Sequence, residues 1–146
     1  MTLEEYIIKA AGVWFTGFFP LAEIYVAIPA AVAVGLDSFS VVFWSVFGNF
    51  TPIVLIVAFY ERLMQYERPR QWLSRFSSER FKAQIDRYGT WFVLLITPWT
   101  SVWVMAVTAK ALRMDSRRLL LFAFISVTVY AIGITMLITA GVATIS

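Results

Sequence analysis

Four long stretches of this chain carry almost no charge, and that constrains its fold more than any other feature. They cover residues 10 to 36, 38 to 60, 88 to 109 and 119 to 146, and Glu23 is the only charged residue in the first. Each meets the rule of roughly 18 or more apolar residues for a segment that can cross a bilayer. Across the 146 residues 60% are hydrophobic and 14% charged, against about 45–50% and about 25% in soluble domains. The expected fold class is therefore all-α integral membrane, as a single membrane domain over residues 1 to 146. The N-terminus MTLEEYIIKA places Glu4 and Glu5 where a signal peptide would carry positive charge, so the first run is expected to stay in the mature protein.

The chain has no Cys and no His. That excludes a disulfide framework, a thiol nucleophile, an imidazole base and a thiolate or imidazole metal site, so neither a metal nor a cofactor is expected. No HExxH or G-x-S-x-G pattern occurs either, and the chain is not expected to be an enzyme. The net charge of +3 does not point to nucleic acid, because the basic residues sit beside apolar runs and read as cytoplasmic anchors.

Seven of the twelve Lys and Arg residues lie between 61 and 87: Arg62, Arg68, Arg70, Arg75, Arg80, Lys82 and Arg87. The positive-inside rule puts this segment in the cytoplasm, so residues 38 to 60 run from outside to inside; the expected location is a prokaryotic inner membrane. The segment reads as two short amphipathic helices. Pro69 suits a first turn, and Ser77 or Ser78 could cap a second start. Trp72, Leu73 and Phe76 share one face, and Phe81, Ile85 and Tyr88 another; both faces are expected to lie on the membrane surface.

If residues 88 to 109 crossed the bilayer, Lys110, Arg113, Arg117 and Arg118 would emerge outside, the arrangement the charge rule most disfavours. A re-entrant hairpin avoids this. ITPWTSVW, residues 96 to 103, supplies the break, since Pro98 has no N–H while Thr97, Thr100 and Ser101 can satisfy freed backbone groups. Two arms of about ten residues reach roughly 15 Å, half of a hydrocarbon core about 30 Å thick. Residues 119 to 142 then form an outward span. In the first run Pro20, Glu23 and Pro29 are expected to interrupt the helix, and no Lys or Arg occurs from 10 to 61. Residues 13 to 36 therefore read as a second hairpin, dipping in from the outer face.

Sliding one half over the other by 78 residues aligns Pro20 with Pro98, Glu23 with Ser101, Tyr25 with Trp103, and Asp37-Ser38 with Asp115-Ser116. The expected architecture is an inverted-topology repeat: repeat A over 12 to 60, a cytoplasmic amphipathic linker over 61 to 87, and repeat B over 88 to 143. Each repeat is a re-entrant helical hairpin plus a transmembrane helix. Transporters built this way place their substrate site near the midplane, between facing breaks. A four-span protein without a repeat is the alternative.

Three strings carry a family resemblance: EIYVAIPAAVAVG (Glu23 to Gly35), GNFTP (Gly48 to Pro52) and PWTSVW (Pro98 to Trp103). They resemble the small multidrug export protein family, which is similar to the wider DedA/VTT superfamily, whose members are regarded as having two re-entrant hairpins in an inverted repeat. The resemblance spans roughly residues 12 to 143. This chain departs from the family pattern at Tyr25, where an arginine is usual, and at Ser101, where a glycine is usual. Leu95 and Ser101 stand where DedA proteins carry arginines. If anionic substrates are recognised by those arginines elsewhere, Lys110 and Arg113 are the basic candidates here.

Glu23 is the leading candidate for a transport role, because ionisable groups inside membrane segments cost roughly 2.5–3.5 kcal/mol near the centre and are usually functional. Capping the second hairpin arm is its structural alternative. The expected substrate and ion path comprises Pro20, Glu23, Tyr25, Pro29, Asn49, Thr97, Pro98, Thr100 and Ser101, with Lys110 and Arg113 as a headgroup site. Asp37 and Asp115 read as helix caps. The expected function is a secondary transporter or lipid flippase, proton-coupled through Glu23. The DedA resemblance implies an amphiphile such as a polyprenyl-phosphate lipid as substrate. A small multidrug exporter and a non-transport membrane scaffold are the alternatives. Expected partners are membrane lipids, a small-molecule or lipid-linked substrate, protons and a second copy of the chain as a homodimer; nucleic acid is not among them.

Overall fold

The computed structural model describes residues 1–20, 22–76, 79–89, 91–92 and 101–145, apart from the Phe81 side chain. Among them every regular element is a helix: α1 (Leu3–Phe18), α2 (Glu23–Ala33), α3 (Ser38–Met64), α4 (Glu67–Ser74), α5 (Glu79–Tyr88), α6 (Val102–Ala111) and α7 (Ser116–Ile145). Helices α3 and α7 are long and apolar enough to cross a membrane. Their 27 and 30 residues measure about 40 and 45 Å, more than a hydrocarbon core about 30 Å thick. Large side chains such as Phe43, Phe47, Phe59, Phe124, Val129, Met136 and Leu137 are exposed along them, a surface suited to lipid rather than water.

The chain divides into two compact units, residues 1–50 with 127–146, and residues 51–126. In the first unit α1 begins at Leu3, ten residues ahead of the expected hairpin arm. Its start is a capping box: Thr2 Oγ1 accepts from the Glu5 N–H at 3.2 Å, and Glu5 Oε2 accepts from the Thr2 N–H at 2.9 Å. Helix α1 ends where Pro20 forces the preceding residue out of the helical region, and Phe19 is extended at ψ 132°. After a short turn α2 packs back on α1. It buries Ile24, Ala27, Ile28 and Ala31, an i, i+3, i+4, i+7 stripe. Pro29 does not break this helix, contrary to expectation. It lies inside α2, where its missing N–H leaves the Tyr25 carbonyl without its helical donor. Among the described residues the helix break in this run lies at Pro20, between α1 and α2.

Helices α1 and α3 meet in the same order along both. The Tyr6 hydroxyl contacts Ser40 Oγ and the Trp44 indole, each at 3.0 Å, and the Trp14 and Phe47 rings lie 6.4 Å apart, tilted to each other. Further on, a Cβ added at Gly48 would run into the Trp14 main-chain carbonyl, and one at Gly17 would sit 3.2 Å from the Asn49 nitrogen. The two helices therefore start on the same side of the unit and run parallel, held close by two glycines.

In the second unit α6 buries Val102, Trp103, Met105, Ala106, Val107, Thr108 and Ala109. Pro69 falls in the first turn of α4, as its fixed φ favours. Part of the apolar face of α4 and Ile85 of α5 turn into the protein, while Tyr88 stays exposed. Leu73 and Ile85 are buried, and Trp72 and Phe76 pack on Trp103 at ring distances of 5.4 and 5.8 Å. The expected caps Ser77 and Ser78 lie outside the described residues.

One local construction occurs twice, 78 residues apart. Helix α2 ends in a Schellman motif, with Leu36 N–H donating to Ala31 O at 3.1 Å and Gly35 N–H to Val32 O at 3.0 Å. Helix α6 ends identically, with Met114 N–H donating to Ala109 O and Arg113 N–H to Lys110 O, both at 3.0 Å. An aspartate then caps the next long helix. Asp37 Oδ2 accepts from the Ser40 N–H at 3.0 Å, and Asp115 Oδ2 from the Arg118 N–H at 3.1 Å. The left-handed position of the motif is Gly35 (φ 79°) in one copy and Arg113 (φ 58°) in the other. Glycine sits there without strain, whereas an L-residue costs roughly 1–2 kcal/mol.

Candidate functional site

Two groups of candidate residues take shape, one in each unit. The first surrounds the break between α1 and α2. Glu23 is the first residue of α2 and is only 5% exposed, the one buried charged residue among those described. Its backbone is left-handed, at φ 49°. Such strain in a non-glycine residue persists only where surrounding contacts enforce it. The preceding Ala22 offers no side-chain cap, so the carboxylate of Glu23 is the acidic group at the positive end of α2. Glu23 and Tyr130 of α7 lie within electrostatic reach of the Tyr25 phenol, whose ring is half-exposed. Pro20 is partly buried and Pro29 exposed on α2.

Asn49 belongs to the same unit and is 1% exposed. Its Oδ1, like Ser45 Oγ one turn earlier on α3, has no hydrogen-bond partner among the described residues. Buried polar atoms are nearly always paired, and one left unpaired costs about 1–3 kcal/mol. Thr128 Oγ1 of α7 is a third such atom in this unit. A unit whose apolar helices carry one buried carboxylate and, among the described residues, three unsatisfied oxygens is suited to taking up a proton or a polar guest.

Asp37 performs a different task at the start of α3. Its Oδ1 accepts from Ser40 Oγ at 2.6 Å, which leaves the Ser40 oxygen to accept from Tyr6, whose oxygen accepts in turn from the Trp44 N–H. All donors in this chain point toward the carboxylate. The Ser40 hydroxyl first, and the Ser40 N–H second, hold the Asp37 carboxyl below its ordinary value. It is a cap and an anchor for α1.

In the second unit Ser101 is the N-cap of α6, its hydroxyl accepting from the Trp103 N–H at 3.3 Å. Ser101 therefore sits just before the first turn of α6, whereas Glu23, aligned with it in sequence, is the first residue of α2. Thr97, Pro98 and Thr100 lie outside the described residues. Lys110 and Arg113 do come together: they line a cleft of about 510 Å³ with Tyr60, Glu61 and Ala111. The Lys110 Nζ is positioned by a 3.0 Å hydrogen bond to Ser116 Oγ. Sequence reasoning missed Tyr60 and Glu61, although Glu61 is the first acid after the run 38 to 60. It also missed Ser45, four residues before Asn49 and so on the same helix face. Among the described residues no three carboxylates converge as a metal site would require.

No curated protein and no solved structure matches the chain. A family described as "putative small multi-drug export protein" matches residues 23–132. The match runs from the strained glutamate at the head of α2, through both Asp-capped long helices, to just past Tyr130. With well over half of its length covered, the chain belongs to this family of small multi-drug export proteins.

Proposed function

We propose that the chain is a secondary transporter or lipid flippase of the prokaryotic inner membrane, moving an amphiphile such as a polyprenyl-phosphate lipid and coupled to protons through Glu23. Family membership supports a membrane transporter. The observation that carries the finer reading is Glu23, a buried carboxylate with a left-handed backbone at a helix break. A carboxylate kept there against a cost of roughly 2.5–3.5 kcal/mol is retained for what it does, not for stability. Protonation removes that cost, so a proton taken up and released during the cycle switches the site between a polar and an apolar state. The unsatisfied oxygens of Ser45 and Asn49 supply polar lining in the same unit.

The reading includes an inverted repeat with two re-entrant hairpins. Helices α1 and α2, about 24 and 16 Å long by their residue counts, are each shorter than the hydrocarbon core. Because α1 and α3 run parallel, α2 returns the chain to the side from which α1 set out, as a re-entrant hairpin requires. The repeated Schellman and Asp caps supply the matching second half. Residues 61 to 87 then lie on the cytoplasmic side, as do Lys110, Arg113, Arg117 and Arg118, and the chain is multi-pass.

The test is reconstitution in liposomes, with flipping of a lipid phosphate and proton flux followed for wild type and Glu23→Gln. Loss of both activities in a folded variant is expected, and unchanged activity would remove Glu23 from the mechanism. Export of a lipophilic cation is the second reading, favoured by the family's description and by a buried carboxylate that would attract such a cation. It predicts efflux of a fluorescent lipophilic cation from the same liposomes, with lipid phosphates left where they are.

A further inference from the structure

The cleft at the ends of α3 and α6 carries both signs of charge. Lys110 and Arg113 line it from one element, and Tyr60 and Glu61 from the other. Among the described residues neither Glu61 nor Arg113 has an ion-pair partner. Lys110 uses one N–H on Ser116 and keeps two for a ligand. We propose that this cleft binds the headgroup of a zwitterionic phospholipid with a primary ammonium, its phosphodiester against Lys110 and Arg113 and its ammonium against Glu61 and Tyr60. The inference rests on the membrane-transporter reading only in taking lipid as the source of the ligand.

The internal repeat provides a control. The same Schellman motif with the same two hydrogen bonds ends α2 and α6, so the backbone needs nothing at its left-handed position beyond what Gly35 supplies. At the corresponding position the second copy holds Arg113 at φ 58°, a strained conformation for any residue with a Cβ. What the strained residue adds there is a guanidinium lining the cleft. A planar guanidinium matches phosphate oxygens two at a time, and Lys110 adds a point charge beside it.

The choice of a zwitterion follows from Glu61. A phosphate monoester or an anionic glycerol headgroup would meet two cations but also one carboxylate. A zwitterion satisfies all three charges. A primary ammonium offers three donors, which Glu61 and the Tyr60 hydroxyl can accept. A quaternary ammonium would call for a cage of several aromatic rings, and among the described residues the cleft presents one, Tyr60. Both ends of the site sit where apolar runs stop. Glu61 directly follows the run 38 to 60, and Lys110 the run 88 to 109, the depth at which headgroups lie.

The test is native mass spectrometry of the full chain, delipidated in detergent and titrated with phosphatidylethanolamine or phosphatidylglycerol. No gradient or transport is involved, so a protein that fails to transport still answers it. Wild type is expected to prefer phosphatidylethanolamine several-fold. Glu61→Gln should abolish the preference by raising phosphatidylglycerol binding. Arg113→Gly should weaken both lipids several-fold while raising the thermal midpoint, because glycine relieves the left-handed strain. Equal or stronger binding of phosphatidylglycerol by wild type would overturn the proposal. So would an unchanged preference in Glu61→Gln, or undiminished lipid binding in Arg113→Gly.

Discussion

Replacing Gly48 by alanine tests the closest contact in the first unit. A Cβ at this position would run into the main-chain carbonyl of Trp14, and a backbone group inside α1 cannot swing aside as a side-chain tip can. Accommodation requires α1 and α3 to separate, and overpacking of this kind costs about 1–3 kcal/mol. Alanine returns about 1 kcal/mol through helix propensity, so a net loss of up to about 2 kcal/mol is expected. Gly17→Ala meets Ser45 O at 3.0 Å and Asn49 N at 3.2 Å, a tighter fit than usual but not an overlap, and should cost less. Gly133 in α7 has nothing within 4 Å of its would-be Cβ. Gly133→Ala should therefore be neutral or stabilising by up to about 1 kcal/mol. Equilibrium unfolding in mixed micelles by added dodecyl sulfate, followed by circular dichroism, gives the ranking. If Gly48→Ala is as stable as Gly133→Ala, the parallel glycine-mediated contact of α1 with α3 is wrong.

Other perturbations separate the caps from the buried polar atoms. Gly35→Ala places a Cβ at φ 79° and should lower stability by about 1 kcal/mol in the same unfolding assay. Asp37 is held below its ordinary value of 3.8, so its contribution is present above that value and lost as pH falls through its lower, folded-state value. The stability difference between wild type and Asp37→Asn should accordingly be constant near neutrality and shrink on acidification below about pH 4; a difference that grows in acid would contradict the cap. Ser45→Ala removes a buried hydroxyl without a partner and should be neutral or stabilising by up to about 1 kcal/mol. A clear loss of stability would mean that the hydroxyl is paired in the membrane-embedded protein.

Much of the helical layout was legible because length and charge control it. The spans at α3 and α7, the short helices α2 and α6, and the Asp-Ser starts at 37 and 115 all follow from where apolar runs begin and end. The start of α1 was not, because a search for uncharged residues passes over Glu4, Glu5 and Lys9, although Thr2 and Glu5 spell a capping box. Pro29 was misjudged for a physical reason. A proline inside an apolar helix forfeits one hydrogen bond, but α2 keeps its buried stripe of Ile24, Ala27, Ile28 and Ala31 across it, and packing on α1 outweighs the loss. Glu23 stood out by its charge alone, but neither its left-handed backbone nor that of Arg113 has a signature in a single residue type. The cleft was half legible: Lys110 and Arg113 are conspicuous after an apolar run, whereas Tyr60 and Glu61 join them through tertiary packing that no local pattern encodes.

The two copies of the repeated motif differ where their surroundings should make them differ. The backbone bonds from 31 to 41 recur from 109 to 119, yet each cation of the second copy faces an uncharged residue in the first. Lys110 corresponds to Val32, Arg113 to Gly35, Arg117 to Phe39 and Arg118 to Ser40. On the proposed inverted repeat, a motif that carries cations in one copy and none in the other is what the positive-inside rule would impose at the two faces of a bilayer. The first copy, without cations, ties its aspartate to Ser40, Tyr6 and Trp44 and so fastens α1. The second uses Lys110 to reach across the turn to Ser116 and opens a charged cleft beside Glu61. One backbone device therefore leads into a clasp at Asp37 and into a charged cleft, the proposed lipid site, at Lys110, and Arg113, strained where Gly35 is relaxed, marks the position at which the two copies part.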